Sequence, residues 1–257
     1  MKIKSLFLIT MLSGLLSSAY AQYVRFPFNG VIEYDKTTNM YAMVKKLITG
    51  SNSSFYQQAF DSYKKNQPQF KVSKSTLSFN KDKSLFSPVE ETTTSGSFFD
   101  LAQAKQINTI YTDFATQTST TQKNVYEELF LVKDSVRKIN WKITTETREI
   151  AGYQCRRANA LIMDSIYVVA FYTDQIPVSG GPESFGGLPG MILGVALPHE
   201  NVTWFATKVT DRAVTPKELY IPVKGKPTDN KGLMQSLNRA FKEWGSQAQS
   251  NLKAFTL

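Results

Sequence analysis

The sequence predicts an α+β fold that is mainly β: one antiparallel sheet packed with a C-terminal amphipathic helix and a short N-terminal helix. Three observations carry this. Strand-like alternation recurs from Gly30 to Thr210, the turns between successive strands are short enough to join antiparallel neighbours, and one helical stripe stands at each end.

Along the chain, Met1-Lys2-Ile3-Lys4 is basic, Leu6 to Leu16 is apolar, and Ser17-Ser18-Ala19-Tyr20-Ala21 ends in small side chains, the pattern of a secretory signal peptide. The apolar run, about 11 residues, is too short for a bilayer core that needs roughly 20. Cleavage after Ala21 is expected, leaving residues 22–257 as a single domain. No cysteine stands at the cleavage site to receive lipid, and no later run is apolar enough to span a membrane. The expected product is exported to the periplasm or cell envelope, or secreted, and is not membrane-spanning after cleavage.

Val31 to Tyr34 opens the strand series. Over residues 53–66, Phe55, Tyr56, Ala59, Phe60 and Tyr63 fall at helical spacing, with Asn52 or Ser53 placed to cap and Pro68 to stop the helix. Residues 71–80 and 84–89 read as a hairpin, and residues 90–97 and 117–123, polar and poor in apolar side chains, as loops. Strands are expected at 108–116, 124–133, 141–150, 155–163 and 165–173, then at 191–197 and 202–210. Both faces of 165–173 are apolar, Ile166, Val168, Ala170 and Tyr172 on one and Tyr167, Val169 and Phe171 on the other, so the sheet is expected to be covered on both sides. Residues 215–229 lead to a final helix, capped by Asp229, whose apolar stripe runs through Met234, Leu237, Phe241, Trp244, Ala248 and Leu252.

The chain has 30 basic and 21 acidic residues. Its lysines and arginines are interleaved with acids and form no block, so no nucleic-acid surface is predicted. The lone cysteine, Cys155, cannot form an internal disulfide and reads as a buried apolar residue. His199 is the single histidine. With Thr203 where a zinc-protease helix needs its second histidine, no metal site in nitrogen or sulfur ligands is expected, and no cofactor is. Val178-Ser179-Gly180-Gly181 does not fit the hydrolase elbow, and the glycines of residues 179–187 lack the lysine of a phosphate loop. Glu90-Glu91 and Glu127-Glu128 are adjacent pairs that a strand would put on opposite faces.

The least generic stretch is Phe185-Gly186-Gly187-Leu188-Pro189-Gly190-Met191-Ile192-Leu193, where glycines admit backbone angles closed to other residues and Pro189 restrains its own and that of Leu188. With Ile176-Pro177-Val178-Ser179-Gly180-Gly181-Pro182-Glu183-Ser184 before it, this segment resembles the signature of the GLPGLI family, exported proteins of Bacteroidetes with no established reaction. The resemblance extends upstream through Trp141-Lys142-Ile143, Gly152-Tyr153-Gln154-Cys155-Arg156-Arg157-Ala158 and Phe171-Tyr172-Thr173. Met191, Arg157 and Phe171 replace the family's usual leucine, lysine and tryptophan, each keeping the chemical type.

The resemblance implies an envelope protein with a strongly curved, half-barrel-like antiparallel sheet of the kind found in periplasmic lipoprotein carriers. Two readings of the motif remain open. In one it is a structural crossover. In the other, Tyr172, Pro182, Phe185 and Leu188 border a cleft that holds an apolar ligand or the peptide of an envelope partner. The function expected is a non-enzymatic binding or assembly factor; the alternative is a hydrolase of peptide or glycan whose carboxylates converge only in the fold.

Overall fold

The structure is a computed structural model that describes residues 26–50, 52–90, 99, 101–105 and 108–257. The expected leader, 1–21, and most of the expected loop at 90–97 lie outside the described residues.

Six strands come first: β1 (Gly30–Asn39), β2 (Phe70–Phe79), β3 (Lys83–Pro88), β4 (Asn108–Asp113), β5 (Thr118–Val125) and β6 (Glu128–Ser135). Two helices, α1 (Met40–Leu47) and α2 (Ser53–Asn66), separate the first two. Five more strands follow, β7 (Lys142–Ile150), β8 (Tyr153–Ile162), β9 (Ile166–Thr173), β10 (Met191–Leu197) and β11 (Val202–Thr210). The short β12 (Lys226–Thr228) leads into α3 (Asn230–Ala240) and α4 (Ser246–Thr256).

All twelve strands form one sheet in the order β12-β6-β5-β4-β3-β2-β1-β11-β10-β9-β8-β7. Two antiparallel meanders, β1 to β6 and β7 to β11, are joined where β1 pairs with β11. The sheet is open and mixed, which corrects the expected half-barrel-like, wholly antiparallel sheet. After β11 the chain crosses to the far edge, where Lys226, Pro227 and Thr228 pair in parallel with Phe130, Leu131 and Val132. Sequence patterning could not show this, because three residues centred on a proline read as linker. At an edge, however, Pro227 can point its donorless nitrogen away from the ladder.

Other expectations shift for local reasons. The polar stretch at 117–123 is mostly strand β5, since its threonines are β-branched and suit a half-buried ladder. The single strand expected at 124–133 breaks at Tyr126, whose φ of 54° turns β5 into β6. Helix α1 carries no long stripe, but Asn39 caps it by accepting from the Ala42 amide at 3.1 Å, and Met40, Met43 and Val44 are buried. The C-terminal stripe is two helices rather than one, because Gly245 takes φ 54° and ψ −131°, a conformation through which no helix can pass. Asp229 caps α3 as expected, accepting from the Gly232 amide at 2.7 Å.

The main core lies over strands from both meanders, with Ile32, Tyr34, Leu77 and Phe79 meeting Val168, Tyr172, Ile192 and Val195. On β9, Ile166, Val168, Ala170 and Tyr172 are buried, while Tyr167 and Phe171 on the other face are half-buried. There Phe171 and Phe205 lie with centroids 6.3 Å apart beneath the Arg148 guanidinium. Cys155 is wholly buried and packs in the main core. Two smaller cores sit under the helices, one of Phe130, Val132, Leu233, Leu237, Phe241 and Phe255, the other of Val44, Phe60 and Phe99.

Gly190 has φ 146°, and a Cβ there would sit 2.1 Å from the Thr173 carbonyl oxygen. Replacing Gly190 with valine is therefore expected to cost about 3 kcal/mol or more from strain and collision together; an unchanged melting temperature would contradict the geometry. Burial pushes the Cys155 thiol up to about 12. At pH 8 it is expected to react with Ellman's reagent only after denaturant is added, and prompt labelling of the folded chain would show that the site opens.

Candidate functional site

The segment between β9 and β10 does not run over the surface. Ile176, Val178, Phe185 and Leu188 are each at most 2% exposed and belong to the main core, while Pro177, Ser179, Gly187 and Pro189 alternate outward. Burying such a segment requires partners for its backbone. The Met191 amide donates to the Ile176 carbonyl at 3.0 Å and the Ile192 amide to the Gly180 carbonyl at 2.9 Å. Side chains add further bonds. The Tyr34 hydroxyl donates to the Ile192 carbonyl at 2.6 Å, the Trp141 indole to the Gly186 carbonyl at 2.9 Å, and the segment's own Ser179 hydroxyl to the Leu188 carbonyl at 2.7 Å; the Ser184 hydroxyl reaches out to the Leu257 carbonyl at 2.7 Å.

Glu183, at φ 51° and 7% exposed, carries a carboxylate into the interior, where Asn108 Nδ2 donates to it at 2.8 Å. Two lysines are buried near it. Lys36 Nζ donates to the Lys105 carbonyl at 2.5 Å and lies 5.3 Å from the centre of the Trp204 ring. Lys123 Nζ donates to the Phe255 carbonyl at 2.7 Å, and Arg137 Nη2 donates to the Thr256 carbonyl. These two cations therefore sit at the C-terminal end of α4, where helix carbonyls lack intrahelical donors and the helix dipole favours positive charge. Burial pulls both lysines down to about 8, against the opposing field of Glu183.

Beside this cluster lies a cavity of about 400 Å³. Its walls come from β4 to β6, the segment 137–140, the β8–β9 turn, α3 and the end of α4. Ile110, Val132, Ile139, Leu233, Met234 and Phe255 are among its apolar lining, and Leu161, 61% exposed, stands at its opening. Lys123, Arg137 and Lys138 also line it, with Ser119, Thr121, Ser135, Asn140, Ser184 and Asn230. No described acidic residue does. Arg137 Nη1 is buried with no hydrogen-bond partner, although Nη2 is engaged.

Two carboxylates, Glu183 and Glu200, do face one recess, together with Lys36, Phe185, Trp204 and Lys253. That recess measures about 30 Å³, room for about one water. Both acids are also engaged, Glu200 with Lys253 at 3.2 Å and Glu183 with Asn108.

The residues singled out by sequence fall in two places. Tyr172 and Leu188 are 2% exposed within the main core, and Pro182 is buried beside Glu183. Phe185 is also core but borders the small recess, its ring 5.9 Å from that of Trp204. Of the wider motif set, Gly152 lies in the turn from β7 to β8, Tyr153 opens β8, Cys155 is core on β8, and Ile176 to Leu193 form the packed segment and the first residues of β10. None of Tyr172, Pro182, Phe185 and Leu188 lines the large cavity; from the motif segment Ser184 does. Arg137, Lys138, Lys123 and Met234 carried no signal in sequence, since the cations form no block of like charge and Met234 stands on an ordinary helix stripe.

Residues 161–194, from the end of β8 into β10, match the model of a family described as a protein of unknown function (Porph_ging). No curated protein matches the chain. Solved structures that resemble it include two of PNGF-II. PNGF-II in a C2 space group aligns at 16% identity with a TM-score of 0.50, over 80% of this chain and 32% of its own. PNGF-II in a P21 space group aligns at 18% identity with a TM-score of 0.49, over 85% and 34%. The chain thus spans about a third of the length of these structures, and the first likeness is one of fold alone. No described helix is long and apolar enough to cross a membrane.

The buried lysines give a pH dependence of definite sign. Lys123 titrates near 8 when folded and at its ordinary 10.5 when unfolded. Between those values the unfolded chain holds more protons, so this group makes stability rise with pH. The stability of Lys123→Met relative to the parent is expected to be highest near pH 8 and to fall toward pH 10.5, as followed by urea unfolding. A difference constant across that window would show that Lys123 is not desolvated.

Proposed function

We propose that this chain is an exported cell-envelope protein of the GLPGLI type that binds a ligand bearing an apolar chain without transforming it. Three supports come from the sequence and its matches. The first 21 residues have the pattern of a secretory leader, Gly187 to Ile192 carries the family hexapeptide in near-identical form, and the match to a family of unknown function covers that stretch.

The observation that carries the binding reading is the cavity of about 400 Å³, walled on one side by apolar side chains and lined by no described Asp or Glu side chain. Its size falls within the range of small-molecule sites, and the apolar wall supplies the driving force while the polar wall orients. Hydrolysis of a peptide or glycan by paired acids finds less support. The recess where Glu183 and Glu200 meet has no room for either substrate. The motif segment supports the site from behind by fixing Ser184 and, through Glu183, by offsetting the charge of Lys36 and Lys123. We place Tyr172, Pro182, Phe185 and Leu188 in that supporting role.

Dodecanol is a suitable probe because it carries the chain and no charge. It is expected to bind the folded protein in native mass spectrometry, and Met234→Trp, which fills the cavity from a half-buried position, is expected to weaken it about tenfold, about 1.4 kcal/mol. Failure of dodecanol and every other alkyl probe to bind the parent protein would sink this reading.

A further inference from the structure

We propose that the ligand of the cavity is an amphiphilic anion, an alkyl chain ending in a carboxylate or a phosphate monoester, whose head is held by Arg137, Lys138 and Lys123. This rests on the reading of the cavity as a binding site and adds the class of molecule it takes.

The charges argue first. Three cationic side chains line one cavity that no described Asp or Glu side chain enters, and Leu257 lines it as well. The nearby acids are turned elsewhere. Asp134 accepts from the amides of Ser135 and Asn230 at 2.7 and 3.0 Å, and Glu183 borders the two smaller recesses and accepts from Asn108. Three cationic side chains without a facing Asp or Glu favour a negative ligand, and partial burial keeps water and salt from screening the attraction.

The hydrogen bonds argue second. Arg137 is anchored at one nitrogen by the Thr256 carbonyl and leaves Nη1 buried and without an acceptor. A guanidinium meets carboxylate and phosphate oxygens with two parallel donors, so an oxyanion reaching it from the cavity satisfies a donor that the protein leaves unmet. Lys123 uses its ammonium on the Phe255 carbonyl and has two further protons to give. Ser119, Thr121, Ser135 and Ser184 add hydroxyls along the same lining.

The remaining lining argues for a tail. Ile139, Leu161, Met163, Leu233 and Met234 would stay wet against a small inorganic anion but would be covered by an alkyl chain.

The test compares four probes at one salt concentration by isothermal titration: dodecanoate, dodecyl phosphate, dodecanol and inorganic phosphate. Dodecanoate and dodecyl phosphate are expected to bind at least about tenfold tighter than dodecanol, and inorganic phosphate more weakly than dodecyl phosphate by a similar factor or more. Arg137→Met is expected to remove most of the gap between dodecanoate and dodecanol. Lys138→Gln, at an exposed position that does not threaten folding, is expected to narrow the same gap. If dodecanol binds as tightly as dodecanoate, or neither variant changes the gap, the charged head is wrong although the cavity still binds chains. If inorganic phosphate binds as tightly as dodecyl phosphate, the tail is wrong. Failure of all four would overturn the binding reading as well.

Discussion

The structure depends on one constraint: residues 174–190 are packed into the sheet's main core, so the backbone of an irregular segment has to be satisfied away from water. Ordinary loops avoid this by staying outside. Here the partners are Tyr34 from β1, Trp141 from the approach to β7, and the segment's own amides and Ser179 hydroxyl, while Ser184 ties the segment to Leu257. The glycine at 190 belongs to the same requirement. With its backbone against the Thr173 carbonyl, the chain can leave the segment and join β10 beside β9 with no side chain between them.

A second consequence is electrostatic. Packing the segment inward carries the Glu183 carboxylate into the interior, where burial alone would disfavour it. Lys36 and Lys123 stand near enough to offset it, and each in turn finds a backbone carbonyl. The carbonyl used by Lys123 is at the end of α4, and Arg137 takes the next one. The motif segment, two buried lysines and the C-terminal helix thus form one connected polar system inside an apolar fold. The cavity lies along its flank and takes its positive lining from it.

Most strands were legible because alternation and turn residues are local signals, and β2, β3, β7, β8, β9, β10 and β11 stand within a few residues of where patterning puts them. Patterning failed where a local rule was overridden. Thr118 to Thr121 look polar yet pair as strand, Tyr126 takes a left-handed turn inside what reads as one strand, and Gly245 breaks a stripe that continues unaltered across the break. Strand β12 and the mixed, open sheet depend on a crossover that no local signal encodes. The motif announced itself through glycine and proline, whose backbone demands are visible in a sequence. The cavity did not, because Lys123, Arg137 and Lys138 gain meaning only when α4 and the β8–β9 turn come to lie beside them.

The same contrast separates what the motif does from what the cavity does. Tyr172, Phe185 and Leu188 are each about 2% exposed, so altering them disturbs the core directly, at roughly 3 to 5 kcal/mol for a large side chain cut to alanine. Lys138 and Leu161 are exposed and Met234 is half-buried, so they can change with little effect on folding. A fold arranged in this way separates scaffold from specificity. The peculiar glycine-rich sequence fixes the interior and positions Ser184 and the buried charges, while the side chains around the cavity opening are less constrained by the fold and, in the proposed binding reading, would set which ligand enters.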